Sequence, residues 1–486
     1  MPKRKREAEE TVSASAIAKT MTQELSEGPK ISIQIITGSY ERVLHGITAT
    51  FIGTPSKDSA PPTVQFTDTF LFNAHASAIR CLALSSISDP SSTHGPSILL
   101  ASGGTDERIN VYSLSAVPPL HDEKIAPIPS LGGSKISEDP RNRELGSLMH
   151  HSSSITALAF PTRSKLLSAA EDNTIAISRI SDLSVVSTIK APHPKVEGRP
   201  SGDTAPPGAA PAGINDFAIH SSMKLMLSVS KGERCMRLWN LVTGKKAGVL
   251  NFSRKMLQSV QEGKYSSGEG RKIKWNPRGE EFAVAFERGA VIFGADSKPR
   301  GRILPSPPTK LHQMRYVRIS ADGQELVVLV VSTENGKVLF YSADQTKQGT
   351  DEASEDSLAD NVCLAQLDGR SNGVAGRIKD FEILPIPSPT GNSPEHIAVT
   401  VGSDGSVRLW TLPTKDFLSV RENAEKLSKP ISVGELVGTY ETGSRITCLK
   451  AFVMLKRDDS EGLSDFEGLT EEGKSATEST DEDVLE

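Results

Sequence analysis

Long apolar runs are missing from this 486-residue chain. No stretch approaches the roughly 18 residues a membrane-crossing helix needs, so a soluble protein with no membrane partner is expected. Cysteine is scarce: Cys81, Cys235, Cys363 and Cys448 lie far apart and form no CxxC pair. That spacing argues against a disulfide framework and a structural zinc, and for a reducing compartment. Aromatic residues are only 5% of the chain, and no apolar segment follows the charged start MPKRKRE, so a secretory leader is not expected. Nothing in the sequence makes a phosphate-cradling glycine loop, a metal-ligand cluster or a nucleophile with a base in reach, which sets an enzyme aside.

What is present is turn chemistry. The 39 glycines and 30 prolines suit many short strands rather than long helices. The first hairpin to stand out is VGSDGSVRLWTL, residues 401–412, in which Asp404 opens a tight turn and Trp410 follows six residues later. The same spacing of six recurs in Asp106 and Tyr112, Asp172 and Ser178, Glu233 and Trp239, and Asn335 and Tyr341. A weaker hairpin, AFERGAVIFG, is read as a further unit without a turn acid.

A second pattern precedes these hairpins: an aliphatic residue, any residue, a small or bulky residue, then Leu, Phe or Val. It begins at Ile79, Ile155, Ile214, Ile273, Met314, Ile378 and Ile446. Successive starts are 76, 59, 59, 41, 64 and 68 residues apart, and the shortest interval matches the roughly 40 to 45 residues of a four-stranded propeller repeat. The excess falls in Gly/Pro-rich or acidic loops at 193–213, 344–361 and 385–394, and a separate Pro/Ser-rich loop at 53–63 lies among the N-terminal strands.

The expected architecture is therefore all-β: a seven-bladed β-propeller over residues 31–457, flanked by a disordered basic leader (1–30) and a disordered acidic tail (458–486). The last inner strand has no hairpin after it, and the three strands at 31–74 have no inner strand before them. These fragments should pair into one composite blade that closes the ring.

In this reading the recurring polar residues are structural. Turn acids Asp106 and Asp172 should hold His75 and His151, with Ser102 and Ser168 completing buried networks beside Tyr112 and Ser178. Trp239, Thr400, Asp404 and Trp410 play the same part where the histidine is absent. Cys81 and Cys448 share a register and read as small core residues. His150 and His151 lack an acid at metal-ligand spacing.

Charge beside the inner strands is asymmetric. The first three patterns carry one flanking charge, Arg80, whereas later ones carry Arg271, Lys272, Lys274, Arg315, Arg318, Arg377, Lys379 and Arg445. Several of these should ring the mouth of an axial channel, as a candidate patch for phosphate or an acidic partner. The competing reading is that their stems cover apolar surface between blades. At the N-terminus, Lys3, Arg4, Lys5 and Arg6 form a candidate nuclear import signal.

Several segments resemble one branch of the WD40-repeat proteins: the p21-activated-kinase-interacting proteins of animals and their fungal counterpart, the maintenance-of-killer WD protein. They are TGSYERVLHG (37–46), LMHHSSSITALAF (148–160), LSVSKGERCMRLWNL (227–241), IKWNPRGEEF (273–282), RIKDFEI (377–383) and RITCL (445–449), in family order. The resemblance implies a non-enzymatic nucleolar assembly factor for the large (60S) ribosomal subunit. Its partners would be pre-60S assembly factors, ribosomal proteins and pre-ribosomal RNA, with no cofactor and no small-molecule substrate. It also implies, as an alternative, an adaptor that binds and inhibits a p21-activated kinase. The sequence departs from the family in lacking a complete His, Ser/Thr, Asp, Trp network in any one unit, and in ending on an acidic rather than Lys-rich tail.

Overall fold

The structure is a computed structural model. It describes residues 31–52, 63–88, 95–119, 139–194, 212–263, 266–321, 324–347, 358–368, 376–386, 395–414, 417 and 429–456. The basic leader, the acidic tail and most of each long loop noted above lie outside the described residues.

The first residue of the recurring pattern is buried in all seven copies: Ile79, Ile155, Ile214, Ile273, Met314 and Ile446 are 0% exposed and Ile378 2%. Each opens or lies near the start of a strand: Ile79–Leu84, Ile155–Thr162, Ile214–Ile219, Lys272–Trp275, Leu311–Ala321, Ile378–Ile386 and Ile446–Val453. These are the first strands of units 1 to 7. Each of units 1 to 6 continues through two more antiparallel strands to a fourth, as in unit 1, where Ser97–Gly104, Ile109–Ser115 and Arg143–Leu148 follow in order. Units 4 and 5 are joined along their outer strands by a short parallel pairing of Arg302 with Asp360.

Burial follows position within a unit. Second and third strands such as Glu281–Ala285 and Ala290–Gly294 are buried at every residue, because a neighbouring unit covers each face. Fourth strands such as Ser184–Lys190 are mostly exposed. The apolar side chains sort into seven clusters, each shared by two consecutive units. One of them holds Ile36, Leu44 and Phe70 of unit 7 against Ile79, Leu100 and Tyr112 of unit 1. At roughly 1.5–3 kcal/mol per fully buried large aliphatic side chain, these shared cores supply the main cohesion between units.

Unit 7 is composite, as the strand count requires. Its order is Ile446–Val453, Ile31–Ser39, Val43–Ile52, Thr63–Asn73, and the first two strands pair antiparallel with Ile33 opposite Val453 and Thr37 opposite Leu449. Two glycines let unit faces approach. A Cβ at Gly38 would stand 2.7 Å from Ile79 Cγ2, and one at Gly103 would stand 2.7 Å from Ile155 Cγ2. At both places the next unit's leading isoleucine fills the space a side chain would need. No helix among the described residues is long and apolar enough to cross a membrane.

Candidate functional site at the inner strands

The turn acids hold strands together. His75 Nδ1 lies 3.0 Å from Asp106 Oδ1 and its Nε2 2.8 Å from Ser102 Oγ. His151 repeats this with Asp172 at 3.0 Å and Ser168 at 2.8 Å. Each set has the residue types of a hydrolytic triad, but Ser102 and Ser168 are 0% exposed, so no substrate carbonyl can reach either hydroxyl. Burial alone would raise the Asp172 carboxyl; hydrogen bonds from His151 and Thr174 outweigh it and hold it below the usual carboxylate range.

Units 3 and 6 lack the histidine and use another device. Trp239 Nε1 donates to Ser228 Oγ at 2.8 Å, and Trp410 Nε1 to Thr400 Oγ1 at 2.9 Å. Their turn acids are held by an arginine four residues on: Arg237 Nη2 donates to Glu233 at 2.6 Å and Arg408 Nη2 to Asp404 at 2.9 Å. Sequence reading missed this, although the spacing of four across the turn was visible in both. In unit 2, Ser178 occupies the tryptophan position, and its buried hydroxyl has no partner among the described residues. Unit 4 corrects a second reading. Its hairpin does carry a turn acid, Glu287, six residues before Phe293, and Glu287 faces outward to Arg271 at 3.3 Å and Lys310 at 2.7 Å.

The first strands of all seven units together line a half-open cavity of about 280 Å³. Cys81 and Cys448 line it at the matched register the sequence indicated. Burial pushes the Cys81 thiol up to about 12 and the Cys448 thiol higher still, so neither is a thiolate at neutral pH.

The basic residues divide by position. Lys272, Lys274, Arg315 and Lys379 line the cavity, whereas Arg271, Arg377 and Arg445 do not. Within the cavity, Lys274 pairs with Asp216 at 2.9 Å and Arg315 with Asp380 and Glu382 at 3.1 Å each. These two cations are answered by carboxylates of the protein itself. Asp216 and Asp380 occupy the same place in the sequences Ile214-Asn215-Asp216-Phe217 and Ile378-Lys379-Asp380-Phe381. Each accepts a backbone N–H from the next unit: Ile273 to Asp216 at 3.1 Å and Leu449 to Asp380 at 3.0 Å. Burial opposes their ionisation, but Lys274 beside Asp216 and Arg315 beside Asp380 keep both carboxyls below the usual range. The repeated Asp was the available signal.

Outside the cavity, turn acids bridge units: Glu171 meets Arg80 at 2.8 Å and Lys231 at 3.0 Å, and Glu334 meets Arg377 at 3.1 Å. The Arg445 guanidinium lies 5.7 Å from the ring centre of Tyr40, which is 60% exposed. Arg271 and Arg377 keep about half their side-chain surface in water, at 43% and 53%.

Comparison with known proteins fits this architecture. The WD domain, G-beta repeat (WD40) family model matches residues 142–177. That window covers the fourth strand of unit 1 and most of the first three strands of unit 2. Over nearly the whole length the chain is similar to protein MAK11 of Saccharomyces cerevisiae, with 28% identity over 466 residues, 91% of this chain and 92% of the relative. It is also similar to p21-activated protein kinase-interacting protein 1-like of Gallus gallus, 23% identical over 87% of this chain and 80% of the relative. A shorter match, to p21-activated protein kinase-interacting protein 1 of Homo sapiens, is 24% identical over 51% of this chain and 47% of that one. The resemblance read from the sequence is borne out.

Proposed function

We propose that this chain is a seven-bladed WD-repeat propeller acting as a non-enzymatic scaffold in maturation of the large ribosomal subunit, in the nucleolus. The observation that carries the reading is the similarity to MAK11 across more than nine-tenths of both chains. It is joined to Arg445, whose guanidinium lies against the exposed Tyr40 ring, and to Arg271 and Arg377, which pair with Glu287 and Glu334 but keep about half their side-chain surface in water. An exposed arginine next to an aromatic face suits nucleic acid or an acidic surface, and a pre-ribosomal particle presents RNA. A scaffold rather than a catalyst is supported by the buried serines of both His-Asp networks and by the two protonated cavity thiols. The specific partners, assembly factors, ribosomal proteins and pre-ribosomal RNA, follow from the family resemblance. Nuclear entry is assigned to Lys3, Arg4, Lys5 and Arg6, which lie outside the described residues.

The test is sedimentation of a tagged copy from nuclear extract. Co-migration with large-subunit precursors supports the reading, and residence only in small complexes overturns it. In the same assay Arg377→Glu with Arg445→Glu should release the protein at moderate salt while leaving its fold intact. A second reading, an adaptor that binds a p21-activated kinase, is favoured by the vertebrate relatives' names. It predicts capture of a kinase regulatory region without ribosomal RNA in the complex.

A further inference from the structure

The cavity lined by the first strands holds more positive charge than its carboxylates can answer. Arg80, Lys272, Lys274, Arg315, Lys379 and Lys450 line it, against Asp216 and Asp380. Asp216 contacts Lys274 and acts on Lys272 only through space, Asp380 and Glu382 contact Arg315, with Glu382 also reaching Lys450 at 3.3 Å, and Arg80 is held by Glu171. Lys272 and Lys379 remain. Among the described residues no carboxylate forms an ion pair with either ammonium. Burial first, then the nearby Arg377 and Arg445, push the Lys379 ammonium down, and Glu334 offsets them only in part. Between these two residues in chain order comes His312, also a lining residue, whose Nε2 is buried with no hydrogen-bond partner among the described residues. Lys272, His312 and Lys379 belong to units 4, 5 and 6, three consecutive first strands.

We propose that this cavity is a binding site for a small phosphate-bearing anion, held by the Lys272 and Lys379 ammoniums and by His312 Nε2–H. Charge and shape choose the ligand class. A phosphate group carries about −1.5 to −2 at neutral pH and presents three acceptor oxygens, which answers two ammoniums and one imidazole donor. A carboxylate, with one charge, would leave one ammonium uncompensated. The volume fits the class: 280 Å³ is roughly nine waters at about 30 Å³ each, room for one phosphate with its bridging waters or for two linked phosphates. The anion would also join units 4, 5 and 6 from inside, so binding should stabilise the folded chain by mass action. This site is independent of the scaffold reading, since the rim arginines lie outside the cavity and the sedimentation assay does not use the cavity lysines.

The experiment is calorimetric titration of the full chain at pH 7 in a phosphate-free, low-salt buffer. Inorganic phosphate, pyrophosphate, citrate and a nucleoside diphosphate are each added, with thermal melts at saturating ligand. The expected result is one pyrophosphate per chain, a raised melting temperature, citrate at least tenfold weaker, and the nucleoside diphosphate no tighter than pyrophosphate. Lys272→Gln with Lys379→Gln should weaken pyrophosphate at least tenfold, while Arg179→Gln, at an exposed ion pair that does not line the cavity, should change it less than threefold. Absence of binding to the unaltered chain overturns the proposal, as does citrate equal to pyrophosphate or unchanged affinity in the double lysine variant. A nucleoside diphosphate more than tenfold tighter than pyrophosphate also overturns it, because the site would then extend beyond the cavity. Should the double variant not fold, Lys379→Gln alone and competition of citrate against pyrophosphate on the unaltered chain separate the same two outcomes.

Discussion

Asp380 ties three units together, so its removal should be felt across the molecule. Its carboxylate meets Arg315 of unit 5 at 3.1 Å and accepts the Leu449 N–H of unit 7 at 3.0 Å, while its own strand belongs to unit 6. The pair is largely desolvated, with side chains 19% and 7% exposed. Breaking a buried pair costs about 3–5 kcal/mol when one charge is stranded. Here Arg315 keeps Glu382 at 3.1 Å, so about 2 kcal/mol is the better figure for that part. An unpaired buried N–H at Leu449 adds about 1–2 kcal/mol. Asp380→Ala should therefore cost about 3–4 kcal/mol. With unfolding entropy near 2.1 cal/mol/K per residue over the described chain, roughly 0.7 kcal/mol/K, the melting temperature should fall by about 5 °C. Asp380→Asn keeps an acceptor for Leu449 and should lose about half as much. The assay is urea unfolding followed by fluorescence and circular dichroism, with the midpoint shifted and the slope unchanged. A cost below about 1 kcal/mol for Asp380→Ala would refute the claim that this carboxylate joins the units.

Replacing Arg237 with Met strips the Glu233 turn acid of its partner in a site 7% exposed on the arginine side, and should cost about 2 kcal/mol by denaturant midpoint. The exposed Arg377–Glu334 pair, treated the same way, should cost at most about 1 kcal/mol. Acid should unfold the protein through its turn and cavity carboxylates. Asp106, Asp172, Asp216 and Asp380 all ionise below the ordinary range near 3.9, so their contribution is fully present above that value and is lost as pH falls through the folded values. Melting temperatures should thus be level from pH 7 to about 4.5 as far as these groups decide, then drop steeply, and the drop should be shallower in Asp172→Asn. Deleting residues 31–50 removes the strand paired with Ile446–Val453 and should abolish the cooperative unfolding transition, not merely lower it.

The repeat of buried residues was legible because one physical demand, an aliphatic wedge between units, recurs at every first strand. Ile79 and Ile446 stand 367 positions apart in the chain, yet one Cys448–Ile79–Gly38 contact region needs all three to be small or aliphatic. The His75 and His151 networks were legible for a similar reason: the serine falls four residues before the turn acid and the histidine four before the leading isoleucine in both units. What escaped was pairing that has no local period. Lys274 meets an acid 58 residues upstream and Arg315 one 65 residues downstream, and nothing near either lysine or arginine in the chain indicates it. A basic cluster in sequence therefore splits in space into spent cations, free cations and rim arginines. The Arg237 and Arg408 devices are local but do not recur: the position four residues past the turn is Asn110, Ala176, Val291 and Leu339 in other units, so no period marks it.

The composite unit also decides how the molecule yields to a pull. Ile33 lies opposite Val453, so the described chain enters and leaves unit 7 at the same end of one antiparallel strand pair. Tension applied between the two termini would load that pair in peeling geometry, opening its hydrogen bonds one at a time from Val453 toward Ile446, with never more than a bond or two bearing the force. Between other units the shared apolar faces would have to slide or separate as whole surfaces. That strand pair is thus a mechanical zipper, and a machine that pulls on the two ends would open unit 7 there first.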